Sequence, residues 1–243
     1  MKTFPLLKRK ALSRRSSLVI GGFGGGLVIL SLFALRAQAI DCKADPSVTL
    51  ASVIHLTGKL VPVQYFHDHS TAQIEAMRHS WFHTKMMHNP GLTKGLHSLT
   101  TGFRIRGLQQ GRRGPVCVWA DSVNVDFSFV KMDVYITSQY SEGSCPYKVI
   151  LDHENQHVAI NTRTYEKYKA LMLQALMSAK DIPTQADPLV VQSLQTGKAI
   201  IGQRINRIMT PLYEAFKAEI VAENAKIDTP ENYKRTQEKC DKW

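Results

Sequence analysis

The clearest β-strand signal of this chain is an alternation of apolar and polar positions. Val123, Val125, Phe127 and Phe129 alternate with serine, asparagine and aspartate residues, and the apolar positions change parity after Val130. A period of two predicts a strand with one buried face. No glycine or proline interrupts the stretch, so the change of parity predicts a bulge near Val130 rather than a hairpin.

Weaker patterns surround this strand. A turn at Asp121-Ser122 is expected to pair residues 116–120 with it, and residues 48–65 predict one or two further strands around Thr57-Gly58-Lys59. Between them, residues 70–87 predict a helix capped by Ser70, and the glycine- and arginine-rich residues 91–114 predict a loop. We therefore expect an N-terminal antiparallel β segment.

Two long helices are predicted after the strands. The first opens at Gly143-Ser144-Cys145-Pro146, with the proline suited to its first turn, and continues for roughly 30 residues. The second runs from residue 188 or 189 to Lys226, with a kink expected at Pro211. Strands followed by helices predict the α+β class.

A short motif on the first helix points to metal chemistry. His153-Glu154-Asn155-Gln156-His157 fits the pattern H-E-x-x-H. Histidines four residues apart project from one helix face and can bind one Zn²⁺, and the glutamate can act as general base toward a zinc-activated water. On a helical wheel the histidines share a stripe with apolar residues, so the motif is expected to face inward.

A catalytic zinc site needs a third protein ligand, and that ligand must come from another element. Position 163 is arginine, so the metzincin continuation is absent. On the last helix, Glu223 and Glu219 lie within an apolar stripe, where a buried carboxylate is costly unless it is paired. The preferred third ligand is Glu223, followed by Glu219 and then Asp228. The alternative is a salt bridge or an exposed helix end.

Four other histidines form two pairs, and the spacing in each pair places both members on one face of a strand or helix. His67 and His69 alternate as on a strand, and His79 and His83 are four apart on the predicted helix. The pair His79/His83 could form a second metal site, but no carboxylate or cysteine accompanies it, so ordinary surface or core roles are favoured.

The N-terminal 39 residues have the layout of an export signal. A basic start precedes the apolar run 18–35 and the sequence Ala37-Gln38-Ala39, which matches an A-x-A cleavage site. Ser13-Arg14-Arg15 suggests the twin-arginine route. The alternative is an uncleaved membrane anchor. Residues 40–243 are then a single domain.

Removing this signal changes the inference from charge. The whole chain carries a formal net charge of +11, but residues 40–243 hold 24 basic and 20 acidic residues, a net +4. A mildly basic domain gives no case for a nucleic-acid partner. All four cysteines, Cys42, Cys117, Cys145 and Cys240, lie in this part, so two disulfides are expected, with three possible connectivities.

The stretch from Cys117 through Tyr147-Lys148-Val149-Ile150-Leu151-Asp152 to the motif resembles a bacterial family of predicted secreted zinc-dependent proteases. The resemblance covers about half of the chain after the signal and is looser at Ile227-Asp228-Thr229-Pro230. It implies a zincin-like domain, with His153 and His157 as zinc ligands and Glu154 as the catalytic base.

The sequence thus predicts a periplasmic or secreted zinc metallopeptidase that binds one Zn²⁺ and acts on a peptide or protein of the cell envelope. A membrane partner is expected only if the signal is uncleaved. The alternative is a non-catalytic zinc-binding protein of the envelope, with the histidine-rich residues 66–88 contributing further ligands.

Overall fold

The fold is built from five strands and four helices within the residues that the structure, a computed structural model, describes: 42, 52–79, 90–109, 111–112 and 114–243. In chain order the elements are β1 (Val53–Thr57), β2 (Gln64–His69), α1 (Thr71–His79), β3 (Gly91–Gln109), β4 (Val116–Thr137), α2 (Cys145–Met177), β5 (Leu189–Val191), α3 (Leu194–Ala225) and α4 (Pro230–Gln237). The predicted α+β class is confirmed.

Strand β4 is the centre of the sheet. Strand β3 pairs antiparallel with it from end to end. The opposite edge of β4 receives three shorter strands, namely β5 antiparallel at its start and then β1 and β2, both parallel. The expected antiparallel N-terminal segment is therefore wrong for β1 and β2. The parallel direction is possible because α1 and β3 lie between β2 and β4 in the chain and supply the long connection that parallel strands require.

Two irregularities in the β3–β4 ladder explain the shifted apolar pattern. Leu96 pairs with Lys131 and His97 with Phe129, so Val130 is left without a partner, as the predicted bulge requires. A second shift leaves Asp121 between paired neighbours, at the place where a turn was expected. The predicted turn is wrong, since β4 continues through it.

Residues 91–109 form strand β3 and not the predicted loop. Leu99, Phe103 and Ile105 in this stretch pack against the core at a spacing that fits a strand with one buried face. The arginines on either side of Ile105, Arg104 and Arg106, point to the other face and pair with Asp121. Glycines and arginines separate these apolar residues so widely that the sequence shows no clear strand pattern here.

Helices α2 and α3 cover one face of the sheet and close the main core. Ser144 caps α2 by accepting from the Tyr147 backbone N–H, and Pro146 lies in the first turn, as predicted. Helix α3 begins later than predicted because the preceding residues form β5, and Ser193 is its cap. The core between the helices and the sheet includes Phe127, Phe129, Tyr165, Met172, Ile201, Ile205 and Phe216.

Helix α1 begins where the sequence predicts. The Ser70 side chain accepts from the Gln73 backbone N–H, and the Gln73 side chain accepts from the Ser70 backbone N–H, which forms a capping box. The predicted continuation of this helix over residues 80–87 lies outside the described residues, as does the predicted export signal of residues 1–39.

Two disulfides, Cys42–Cys117 and Cys145–Cys240, select one of the three possible connectivities. The first bond holds the start of β4, and the second joins the N-terminus of α2 to the segment that follows α4. Disulfides point to an oxidising compartment. None of the helices in the described part of the chain is both long and apolar enough to span a membrane.

Candidate metal centre

Helix α2 turns the H-E-x-x-H motif toward the interior. His153 is 4% exposed, His157 8% and Glu154 1%, and the neighbouring turns bury Val149, Ile150, Ile160 and Thr164 on the same stripe. The inward orientation predicted from the helical wheel is therefore present. Three buried polar side chains on one apolar stripe need partners, because desolvation without compensation is costly.

The third group beside the two histidines is Asp228. Its Oδ1 lies 3.2 Å from His153 Nε2 and 3.1 Å from His157 Nε2, and the two Nε2 atoms are 3.2 Å apart. These three atoms form a nearly equilateral triangle. Among the described residues, this is the cluster of histidine, cysteine and acidic side chains that could hold a metal ion.

The two glutamates preferred from the sequence lie elsewhere. Glu219 accepts from Lys167 Nζ at 2.6 and 2.8 Å and from the Tyr168 hydroxyl at 3.0 Å. Glu223 forms an ion pair with Lys226 at the end of α3. The structure therefore brings neither Glu219 nor Glu223 to the histidines. Because α3 ends at Ala225 and the chain turns back toward α2, Asp228 reaches them instead.

The hydrogen bonds around His157 determine its tautomer. Its Nδ1–H donates to Asn224 Oδ1 at 2.7 Å, while Asn224 Nδ2 donates to Asn161 Oδ1 and to the Ile220 carbonyl. With Nδ1 carrying the proton, the neutral imidazole presents the Nε2 lone pair toward Asp228. Such a partner behind the ring is usual for a histidine that ligates a metal.

His153 differs, because its Nδ1 is buried and has no hydrogen-bond partner among the described residues. Its ring is held by aromatic contacts instead. The Tyr233 ring lies 5.2 Å away and the His157 ring 4.9 Å away. The orientation of His153 therefore depends on packing with these two rings and on the contact of its Nε2 with Asp228.

The electrostatics of the cluster follow from the Asp228 carboxylate, which faces two buried histidine nitrogens close to the buried Glu154. Burial alone would lower the pKa of His157, but its hydrogen bond to Asp228 and the nearby Glu154 charge raise that pKa to about 9. Burial would raise the pKa of Asp228, and the hydrogen bonds from both histidines hold it well below its usual range instead. A cation is therefore strongly favoured at this point, whether it is a proton or a metal ion.

The spacing of the three atoms fits a tetrahedral metal ion. Ligands at the usual Zn–N and Zn–O distances of about 2.0–2.1 Å lie about 3.3 Å from one another in a tetrahedral site. The observed separations are 3.1–3.2 Å. His153 Nε2, His157 Nε2 and Asp228 Oδ1 could thus hold one metal ion and leave a fourth position open.

The side chain of Glu154 reaches from α2 to the first residues of β3. Its Oε2 accepts from the Thr93 hydroxyl at 2.8 Å, and Gly91 leaves the space beside Oε1, since a Cβ there would come within 2.5 Å of it. Burial raises the pKa of Glu154, and the two histidines act in the opposite direction. A buried carboxylate next to a cation site is the arrangement expected of a general base.

Tyr233 is a residue of this site that the sequence patterns do not predict. Its hydroxyl donates to Asp228 Oδ1 at 2.6 Å, and burial together with the Asp228 charge raises the pKa of the phenol. Thr229 and Pro230 give a sequence signal, because Thr229 caps α4 and so places Tyr233 on the first turns of a helix beside Asp228. Nothing in the sequence marks Asn224 as the partner of His157.

Of the four other histidines singled out in the sequence, His67 and His69 have partners outside this cluster. His67 Nε2 lies 2.8 Å from the Tyr140 carbonyl, and His69 pairs with Asp68. His83 lies outside the described residues, and the side chain of His79 is not described, so the predicted second site stays a prediction.

Comparisons of the chain with family models, with curated proteins and with solved structures found no match.

Proposed function

We propose that this chain is an exported zinc-dependent metallopeptidase that hydrolyses peptide bonds in the cell envelope. The observation that carries the proposal is the convergence of His153 Nε2, His157 Nε2 and Asp228 Oδ1 within 3.2 Å of one another, with buried Glu154 between the two histidines in the sequence. This set has the composition of a catalytic zinc site, with three protein ligands and one open position.

Each residue has a distinct role in the proposed reaction. His153, His157 and Asp228 hold the Zn²⁺, which when bound polarises a carbonyl group and lowers the pKa of water toward 7. Glu154 accepts the proton of the attacking water and delivers it to the leaving amine. Thr93 holds one oxygen of Glu154 through its hydroxyl and so orients the carboxylate. Asn224 holds the His157 ring in the ligating tautomer.

A peptide substrate is supported by the sheet. Strand β3 pairs with β4 along one edge, and no strand within the described ranges pairs with its other edge. An unpaired edge offers backbone N–H and C=O groups to an extended peptide. Because Thr93 of β3 contacts Glu154, a peptide added near this end of the strand would lie close to the proposed base.

Two features of the chain support the proposed location in the cell envelope. The basic and apolar N-terminal residues 1–39 and the two disulfides favour export to the periplasm or the exterior. The protein substrate is then an envelope protein or peptide.

The test compares two variants of the motif with the wild type. Glu154→Gln should retain one zinc per chain and lose cleavage of an unfolded protein substrate by at least about 100-fold, because only the base is removed. His153→Ala should lose both zinc and cleavage. Metal content by elemental analysis and cleavage by mass spectrometry give the two readouts. Proteolysis by Glu154→Gln at the wild-type rate would overturn the mechanism.

The second candidate is a non-catalytic zinc-binding protein. It is favoured by one observation, namely that the metal ligand Asp228 would tie the C-terminal helix α4, which has no buried residue of its own, to α2. In that case zinc removal unfolds the C-terminal end, and neither the wild type nor Glu154→Gln cleaves any substrate.

A further inference from the structure

Residues 227–243, which we call the C-terminal clasp, supply two groups of the site but contain a single fully buried residue. The clasp carries Asp228 and Tyr233, and Cys240 is its one buried residue. Helix α4, which forms the middle of the clasp, has no buried residue. A segment with so little apolar burial contributes little to its own stability and depends on specific attachments.

The clasp is attached to helix α2 at two places. Asp228 and Tyr233 contact His153, the ninth residue of the helix, at 3.2 Å and with a ring-centroid distance of 5.2 Å. The disulfide Cys145–Cys240 joins the far end of the clasp to the first residue of the helix. A smaller contact at the chain end places the Trp243 ring edge-on to Tyr140. Of these attachments, the disulfide alone is covalent.

We propose that the Cys145–Cys240 disulfide and the metal site are thermodynamically coupled, so that the redox state of this bond sets the affinity of the site for its metal ion. This inference rests on the proposed metal site. With the bond closed, Asp228 and Tyr233 are held against His153 and His157 before a metal ion arrives. With the bond open, ordering the clasp costs conformational entropy that metal binding must supply.

The fold limits how much reduction of the Cys145–Cys240 disulfide weakens zinc binding. Asp228 lies only three residues beyond the end of α3, and its backbone N–H donates to the Asn224 carbonyl at 3.3 Å, so α3 still directs it toward the histidines in the reduced state. The larger loss falls on Tyr233, which the disulfide holds in place through α4. We therefore expect reduction to weaken zinc binding by roughly 10–100-fold, the range seen when a ligand loses its supporting partner.

The redox step needs an external dithiol, such as a protein of the Cys-x-x-Cys class. Cys145 is exposed, whereas Cys240 is buried, so the attacking thiolate reaches the sulfur of Cys145. A mixed disulfide forms there and the thiolate of Cys240 leaves and takes up a proton. The second thiol of the dithiol then displaces Cys145, giving two thiols in this chain and one disulfide in the reductant.

The chain offers a matched control in its other disulfide. Cys42–Cys117 holds the start of β4 and makes no attachment to the clasp. The full-length double variants Cys145→Ser/Cys240→Ser and Cys42→Ser/Cys117→Ser are compared with the wild type by zinc titration against a competing chelator. The first should bind zinc roughly 10–100-fold more weakly, and the second should match the wild type. Equal zinc affinity in the two double variants would overturn the coupling.

A reciprocal measurement on the wild type avoids any variant that fails to fold. By linkage, zinc must stabilise the disulfide by the same factor by which the disulfide favours zinc. In a glutathione redox buffer, zinc should lower the reduction potential of Cys145–Cys240 by about 30 mV for each tenfold of coupling and leave that of Cys42–Cys117 unchanged. An identical potential with and without zinc contradicts the inference. If the oxidised wild type binds no zinc, the proposed function itself fails.

Discussion

Asp228 is the residue on which the geometry of the site depends most. Its Oδ1 faces His153, His157 and the Tyr233 hydroxyl at distances of 2.6–3.2 Å. A carboxylate in this position adds a negative charge and one ligand atom, both of which favour a divalent cation. The two histidines supply two ligand atoms but no negative charge.

We expect Asp228→Asn to weaken zinc binding by more than about 100-fold, beyond the usual cost of losing a supporting partner. The amide keeps the shape of the side chain and removes the charge. Glu223→Gln is the matched control, because Glu223 pairs with Lys226 and not with the histidines, and it should leave zinc affinity unchanged. Competition with a chromogenic chelator measures both. A larger loss in Glu223→Gln than in Asp228→Asn would assign the ligand to the glutamate.

The titration of the same cluster predicts how the metal-free protein responds to pH. The pKa of folded His157 is about 9, above its ordinary value of 6.5, so the imidazolium contributes stability that is complete below pH 6.5 and is lost as pH rises through 9. The lowered pKa of Asp228 acts in the other direction, since its contribution is present above its ordinary value of 3.8 and falls in more acidic solution.

The free energy of unfolding of the metal-free protein should therefore fall by up to about 3 kcal/mol between pH 6.5 and pH 9. Denaturant unfolding in the presence of a chelator measures it. His157→Gln removes the titrating group, so its stability should change less over this range. A stability that rises toward pH 9 in the wild type would contradict the assignment.

The sequence contains the H-E-x-x-H motif and predicts the inward orientation of its residues. As the third metal ligand, however, it ranks Asp228 below Glu223 and Glu219. A helical wheel places a residue on a face of one helix, and on that basis both glutamates faced inward. It does not show that Lys167 on α2 comes within reach of Glu219, nor that the chain turns back after α3. Both facts depend on how α2 and α3 pack together, which a helical wheel of one helix does not show.

Among the secondary-structure elements, the break between β1 and β2 has a local cause. Both strands lie along one edge of β4, and Gly58 between them has φ 154°, in the region that other residues avoid. A Cβ on Gly58 would lie 1.8 Å from the Phe127 carbonyl oxygen. The close approach of this backbone to β4 therefore requires glycine.

We expect Gly58→Ala to destabilise the fold by roughly 2–4 kcal/mol, because both the dihedral angle and the space exclude a methyl group. Gly102→Ala on β3 is the control, since nothing lies within 4 Å of its Cβ position, and it should be neutral or slightly stabilising. Thermal unfolding compares the two. Equal melting temperatures would show that the chain can shift away from β4 at Gly58.

The elements themselves were predicted unevenly. Capping signals and apolar periodicity identified the starts of α1 and α2, because these are local. Strand β3 lies where the sequence predicts a loop, since its glycines and arginines are typical of irregular segments while its pairing with β4 is a tertiary interaction. Strand β5 lies where the sequence predicts the start of α3, because three apolar residues specify neither element.

For the whole molecule, the order of strands and helices was sufficient to predict the α+β class, and the cysteine count was sufficient to predict two disulfides. The direction of β1 and β2 and the connectivity of the disulfides were not predictable. Each depends on which of several distant segments meet, with the two bonded pairs 75 and 95 residues apart. Several arrangements satisfy the same local preferences.

The position of β4 as the strand on which four others assemble has a consequence for the order of folding. Strands β3 and β4 are consecutive, separated by residues 110–115, whereas Val53 of β1 meets Ser122, 69 positions later. Loop-closure entropy makes the second contact more costly than the first by about 2 kcal/mol.

The β3–β4 hairpin should consequently form early and serve as the template on which the N-terminal strands dock last. Pulsed hydrogen exchange during refolding should show protection of β4 amides that bond to β3 before those of β1, and the reverse order would contradict this pathway. During synthesis the N-terminal strands leave the ribosome first, yet they must wait for β4. Nascent chains therefore expose residues 53–69 without a partner for the time needed to make about 70 further residues, the interval in which chaperones matter most.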